Sequence, residues 1–238
     1  MALIKMDFFS KVLNENRTVD IITPSDIPAT NRLPILWLLP PIGRNHTAWL
    51  RHTTLDELCE AHGVMAVMPD LRLSFGADMD HGPPYFQFLT SELPDMICDY
   101  FPADPTRQLI AGAAEGGYAA FRATLKLPGR YRAAGCFSGG CVTGQPLTGR
   151  RAVWAEYALG QSDAAALTGG DFDLDALAAQ SVDRPYLLLA YGQDDPLAPS
   201  AEALARSIAP IEVVARPGIL GWVDWQQQLD RLLDRARL

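Results

Sequence analysis

The stretch Leu109-Ile110-Ala111-Gly112-Ala113-Ala114-Glu115-Gly116-Gly117-Tyr118 decides the fold. An apolar strand runs into closely spaced glycines and then into a helix. Glycines are needed there because the turn is sharp and the two backbones pass close together. Working outward, Gln108 to Ala111 reads as a strand, Gly116 to Leu127 as a helix and Ala133 to Phe137 as the next strand. Upstream, Ile35-Leu36-Trp37-Leu38-Leu39 is a continuous apolar run, as expected for a strand buried on both faces. A helix over Leu50 to Ala61, a strand over Val64 to Met68 and a helix around Phe86 to Tyr100 follow. Downstream come strands over Tyr186 to Tyr191 and Ile211 to Ala215. A helix near Ala201 to Ile208 separates them, and a final helix spans Trp222 to Ala236. Such alternation predicts an α/β chain with a mostly parallel sheet covered by helices on both faces.

Two segments depart from the alternation. Ala2 to Leu13 and Thr18 to Thr23, joined by Asn14-Glu15-Asn16, predict an antiparallel N-terminal hairpin. Residues 141–183 are rich in Gly, Ala and Asp, with short helical patterns near Ala152 to Leu159 and Leu174 to Gln180. They are expected to form an insertion over the C-terminal end of the sheet of one domain spanning residues 1–238, in a place where loops often cover a pocket.

Composition excludes several classes. The net charge is −8 and the pI about 4.9, so there is no basic stripe for nucleic acid or an anionic membrane. The longest apolar run, Ile35 to Ile42, is too short to cross a bilayer. Met1 to Leu13 lacks the organisation of a signal peptide. Cys59, Cys98, Cys136 and Cys141 form no C-x-x-C pair and no zinc spacing, and read as buried thiols in a reducing compartment. A cytoplasmic location is expected, with no cofactor and no metal. Asp70, Asp78, Asp80 and His81 read as a solvated acidic loop, and Asp171 to Asp175 lacks the pattern of a calcium loop.

A strand, glycines and a helix are the context of a nucleophile elbow, G-x-S-x-G. Here the frame is Gly112-Ala113-Ala114-Glu115-Gly116, with Ala114 at the nucleophile position. The wider chain resembles the tributyrin-esterase and esterase D family. Trp37-Leu38-Leu39, Gly43, Asn45-His46-Thr47-Ala48-Trp49, Val67-Met68-Pro69-Asp70 and Gly82-Pro83-Pro84-Tyr85-Phe86 resemble its first half. Gly192-Gln193-Asp194-Asp195 resembles its acid loop, and Gly218-Ile219-Leu220-Gly221-Trp222 its G-x-H-x-W histidine loop. The resemblance implies an α/β-hydrolase fold and serine-esterase ancestry, a small acyl or ester-like ligand, and association into homo-oligomers.

It also implies what is missing. The serine position holds Ala114, the histidine position Leu220, and the His-Gly of the oxyanion loop is Pro40-Pro41. Asp195 is the surviving acid. Acyl transfer needs a hydroxyl, a base and amides aimed at the oxyanion. Ile42 and Glu115 retain the amides for the hole, but Glu115 brings a negative charge beside it, which is unfavourable. All four histidines, His46, His52, His62 and His81, precede Asp195, whereas in this fold the catalytic one follows the acid. His46 reads as a local hydrogen-bonding residue, His52 and His62 as helix-surface residues, and His81 as the pocket candidate. Changes at so many positions mark natural divergence rather than a laboratory inactivation. The expectation is a pseudoenzyme that binds a ligand or a partner. The alternatives are a hydrolase with relocated groups (Glu115, Asp195 or His81) and a structural subunit of an active paralogue.

Overall fold

A computed structural model describes residues 1–25, 32–140, 148–161, 163–182 and 184–236. The chain opens with β1 (Ala2–Ser10) and β2 (Glu15–Thr23), which pair antiparallel as the sequence predicts, although the turn begins at Lys11. β3 (Leu33–Leu39) is buried at all seven positions, which is why it carries no polar alternation. The helix expected over Leu50 to Ala61 is two helices, α1 (Ala48–His52) and α2 (Leu55–His62). They break at Thr53 and Thr54, where the Thr53 hydroxyl donates to the Trp49 carbonyl. β4 (Met65–Met68) follows. Then α3 (Tyr85–Gln87) and α4 (Leu93–Tyr100) flank a π-helical turn over Phe88–Glu92, with Pro94 in the first turn of α4.

Next come β5 (Ala103–Ala113), α5 (Glu115–Lys126) and β6 (Tyr131–Phe137). Within the predicted insertion lie α6 (Gly149–Leu159) and α7 (Leu174–Gln180). The Asp173 side chain caps α7 by accepting the Asp175 N–H. The chain ends with β7 (Tyr186–Gly192), α8 (Ala198–Ser207), β8 (Glu212–Arg216) and α9 (Trp222–Ala236). The strands form one eight-stranded sheet in the order β1-β2-β4-β3-β5-β6-β7-β8. The pairs β1–β2 and β2–β4 are antiparallel and the rest parallel.

The two faces of β3 supply the two cores. Ile35, Trp37 and Leu39 pack with Phe88, Tyr118 and Phe121. Leu36 and Leu38 pack on the opposite side with Trp49, Leu229 and Leu232. The polar tips that this burial would strand are answered: Trp37 Nε1 donates to Gln108 Oε1 at 2.8 Å, and Trp49 Nε1 to the Leu39 carbonyl at 3.0 Å. Cys59 and Cys136 are buried thiols, each pushed up to about 12 by burial. Cys98 is only half-buried, and Cys141 lies outside the described residues. Among the described residues no helix is long and apolar enough to cross a membrane.

Candidate active site

The elbow has the shape its glycines predict. A Cβ on Gly112 would lie 2.4 Å from the Gly116 carbonyl carbon, so no other residue allows strand and helix to approach this closely. A Cβ on Gly116 would lie 2.5 Å from the Pro40 carbonyl oxygen, which packs the oxyanion loop against the first turn of α5. Between them Ala114 sits at φ 49°, ψ −119°, a backbone conformation that L-residues avoid. Its N–H donates to the Phe137 carbonyl at 2.8 Å, and its carbonyl accepts the Tyr118 N–H at 3.2 Å. The next strand ends in the same way: Ser138, beside Ala114 in register, has φ 50°. The Ser138 hydroxyl accepts from Trp225 Nε1 at 2.9 Å.

Asp195 lies just beyond β7 and is 6% exposed. Its two oxygens are both taken by the backbone: Oδ2 accepts the Gly192 N–H at 2.8 Å, and Oδ1 accepts the Leu220 N–H at 3.2 Å. The carboxylate is therefore held by main-chain amides rather than by a side-chain base. Leu220 is 5% exposed and belongs to the core cluster that contains Trp49 and Phe137. A methyl-bearing side chain at that position packs where it need not face water, so the loop gains apolar burial. Behind it the indoles form a ladder. Trp49 and Trp222 meet edge-on with centroids 5.2 Å apart, Trp222 and Trp225 lie 4.9 Å apart, and His52 stacks on Trp222 at 4.6 Å. Trp222 and Trp225 thus form a packing face, as their spacing predicts.

Glu115 departs from the sequence expectation. Its carboxylate does not merely stand beside the amide of Ile42, expected to form an oxyanion hole; it accepts from it. Oε2 accepts the Ile42 N–H at a long 3.4 Å. Oε1 is gripped by Arg151 of α6, whose Nε donates at 2.7 Å and whose Nη2 also donates to it. Arg151 was not singled out from the sequence. It lies 36 residues away in a segment of weak periodicity, and no signal in the sequence pairs it with Glu115. The unfavourable charge is thus compensated, and the amide meant for a developing oxyanion already holds an anion.

The remaining candidates fall elsewhere. His81 is mostly exposed, with Nδ1 2.7 Å from Asp80 and its ring beside Tyr157. Its backbone N–H donates to the Tyr157 carbonyl, which ties that loop to α6. His62, in the last turn of α2, pairs with Asp230. His46, expected to be a local hydrogen-bonding residue, instead has a buried Nδ1 with no hydrogen-bond partner among the described residues. Asp78 accepts the Gln87 N–H, and Asp70 lies against Arg17. No described contact brings any of these to Ala114. Pro40 and Pro41 occupy the loop between β3 and α1, where the Pro41 carbonyl accepts the Arg44 N–H.

A parallel sheet opening with an antiparallel hairpin, a strained elbow after β5, an acid after β7 and a loop from β8 facing it define an α/β-hydrolase fold. Over residues 10–235 the chain matches the Esterase family model, described as "Putative esterase", and it belongs to that family. An acetyl esterase of Caldicellulosiruptor saccharolyticus is 28% identical over 216 residues, covering 82% of this chain and 81% of the relative. Two solved structures from Staphylococcus aureus share the fold. The fluorophosphonate-binding serine hydrolase FphF, substrate bound, superposes with a TM-score of 0.87 at 21% identity. It covers 100% of this chain and 98% of that one. The S-formylglutathione hydrolase apoenzyme gives a TM-score of 0.85 at 21% identity, covering 100% and 99%.

Proposed function

We propose that this member of the esterase family has given up carboxylester hydrolysis and keeps the scaffold as a non-hydrolytic, ligand- or partner-binding protein of the cytoplasm. The observation that carries the reading is the fate of the three catalytic elements. The nucleophile position is a methyl group, the acid is satisfied by backbone amides, and Glu115 sits in the hole with Arg151 as counter-ion. A serine hydrolase stripped of its triad but with an intact hole retains about 10³- to 10⁴-fold acceleration over water. Losing a single hole donor takes away about 10²- to 10³-fold more. Both losses together leave little room for physiological turnover.

Relocated chemistry finds less support, because each residue it would use already has a partner: Glu115 has Arg151, Asp195 has two amides and His81 has Asp80. The test is turnover of p-nitrophenyl acetate and butyrate by the native protein against a heat-unfolded sample. The two rates are expected to match. Saturable turnover by the native protein alone would sink the proposal.

A further inference from the structure

A cavity of about 630 Å³ opens at the C-terminal edge of the sheet, between the loops that follow β3 and β4. That volume is in the range of small-molecule sites. Its lining includes none of Ile42, Ala114, Glu115, Asp195 or Leu220, so it is separate from the degenerate elbow. Leu73, Met79, Pro83 and Tyr85 give it an apolar wall. Gly43, Arg44, Asn45, Arg72, Glu15 and Asp70 make up the rest of the lining.

The two acids do not stand free for a cation, because one buried guanidinium engages both and Arg72 lies 3.8 Å from Asp70. Arg17 of β2, with its side chain only 3% exposed, places Nη1 3.1 Å from Glu15 Oε1 and Nη2 3.6 Å from Asp70 Oδ2. Nη2 also donates to the Asp70 carbonyl, and the guanidinium lies 5.5 Å from the centre of the Tyr85 ring. A buried guanidinium is tolerated only when it is paired and hydrogen-bonded, so this one fixes both acids in place. The Tyr85 hydroxyl donates to Glu15 Oε1 at 3.1 Å, and Asp70 Oδ1 accepts the Arg72 N–H at 2.8 Å.

What is left over is donors. Arg44 has no side-chain hydrogen bond or ion pair among the described residues. Arg72 has only a 3.8 Å contact with Asp70 and is 58% exposed. Asn45 uses its Oδ1 on the N–H and hydroxyl of Thr47, which leaves its amide nitrogen to donate. Three arginines against two acids leave this corner net positive in a chain of net charge −8. A guanidinium fork matches the two coplanar oxygens of a carboxylate. The apolar wall asks for a body without charge.

From this geometry we infer that the pocket beside Arg44 binds a small monocarboxylate carrying an apolar body, with the carboxylate on Arg44 and Arg72 and the body along Leu73, Met79 and Tyr85. This does not depend on whether hydrolysis is lost at Ala114. The experiment is titration calorimetry with 4-phenylbutyrate, its neutral amide and inorganic phosphate. Saturable 1:1 binding of the carboxylate is expected, with the amide and phosphate each about 10-fold weaker or more. Arg44→Ala should weaken the carboxylate by about 10-fold and Arg44→Lys by less, while Arg151→Ala leaves it unchanged. Binding of the amide or of phosphate as tight as the carboxylate would overturn the proposal, as would no saturation at all. So would binding lost in Arg151→Ala and kept in Arg44→Ala, which would place the ligand at the elbow instead. A thermal melt of each variant separates lost binding from lost folding.

Discussion

Two places along the same edge of the sheet have met opposite fates. At the elbow every charged group has found an internal partner: Glu115 has Arg151 and the Ile42 amide, and Asp195 has the amides of Gly192 and Leu220. At the neighbouring cavity Arg17 pairs with both acids, and the guanidinium of Arg44 has no partner among the described residues. The difference separates charges that the fold itself satisfies from one that it leaves to solvent. The elbow backbone is held by the close approach at Gly112 and Gly116. Its charges are paired within the protein, since an unpaired buried charge costs several kcal/mol. Arg44 stands exposed to solvent, where the proposed carboxylate would meet it.

The contrast is broken most severely at the elbow glycines. Gly112→Ala puts a methyl group 2.4 Å from the Gly116 backbone and is expected to cost about 3 kcal/mol or more in urea denaturation. An effect below about 1 kcal/mol would mean that the close approach is not rigid. Next is Leu220→Ala, which opens a hole in the core beside Trp49. It should lower stability by about 2 to 3 kcal/mol, the loss expected of a packing residue and not of a vestigial one.

The closed character of the elbow is measured by a double-mutant cycle on Glu115→Gln and Arg151→Met. A coupling of about 1 to 2 kcal/mol is expected; Arg151 keeps 32% exposure, so solvent weakens the pair. A coupling near zero would mean that the carboxylate sits in the hole without the latch. Smaller again is Ala114→Gly. The strained φ of 49° costs about 1 to 3 kcal/mol, and glycine gives back about 0.5 to 1 kcal/mol in chain entropy, so a net gain of about 1 kcal/mol is expected in the thermal melt. At the open end of the comparison, Arg44→Ala should change stability by less than about 0.5 kcal/mol, because no described interaction is lost.

Much of the framework was legible in the residues. The apolar run from Ile35 to Leu39, the glycines around Ala114 and the apolar stripe of α9 each follow from local period and backbone demand, and each appears as expected. So do the positions of Asp195 and Leu220 on facing loops, which the motif spacing carries. The break at Thr53–Thr54 and the π turn over Phe88–Glu92 were not legible, because apolar residues recur on both sides of each and no glycine or proline marks the interruption itself. The pairing of Glu115 with Arg151, and of Arg17 with Glu15 and Asp70, was out of reach for another reason. Only the finished fold brings these charges together, across up to 53 residues of chain. The same holds for His46, whose buried Nδ1 lacks the partner expected of it among the described residues.

The indole ladder behind Leu220 has an optical consequence. Trp49, Trp222 and Trp225 lie within 5.2 Å of one another in sequence along the ladder, and Trp225 is bonded to Ser138 beside the elbow. Indoles packed edge to face in one fixed arrangement give near-ultraviolet circular dichroism that disappears when tertiary packing loosens. The loop that holds Leu220 therefore carries its own spectroscopic gauge, readable without any label.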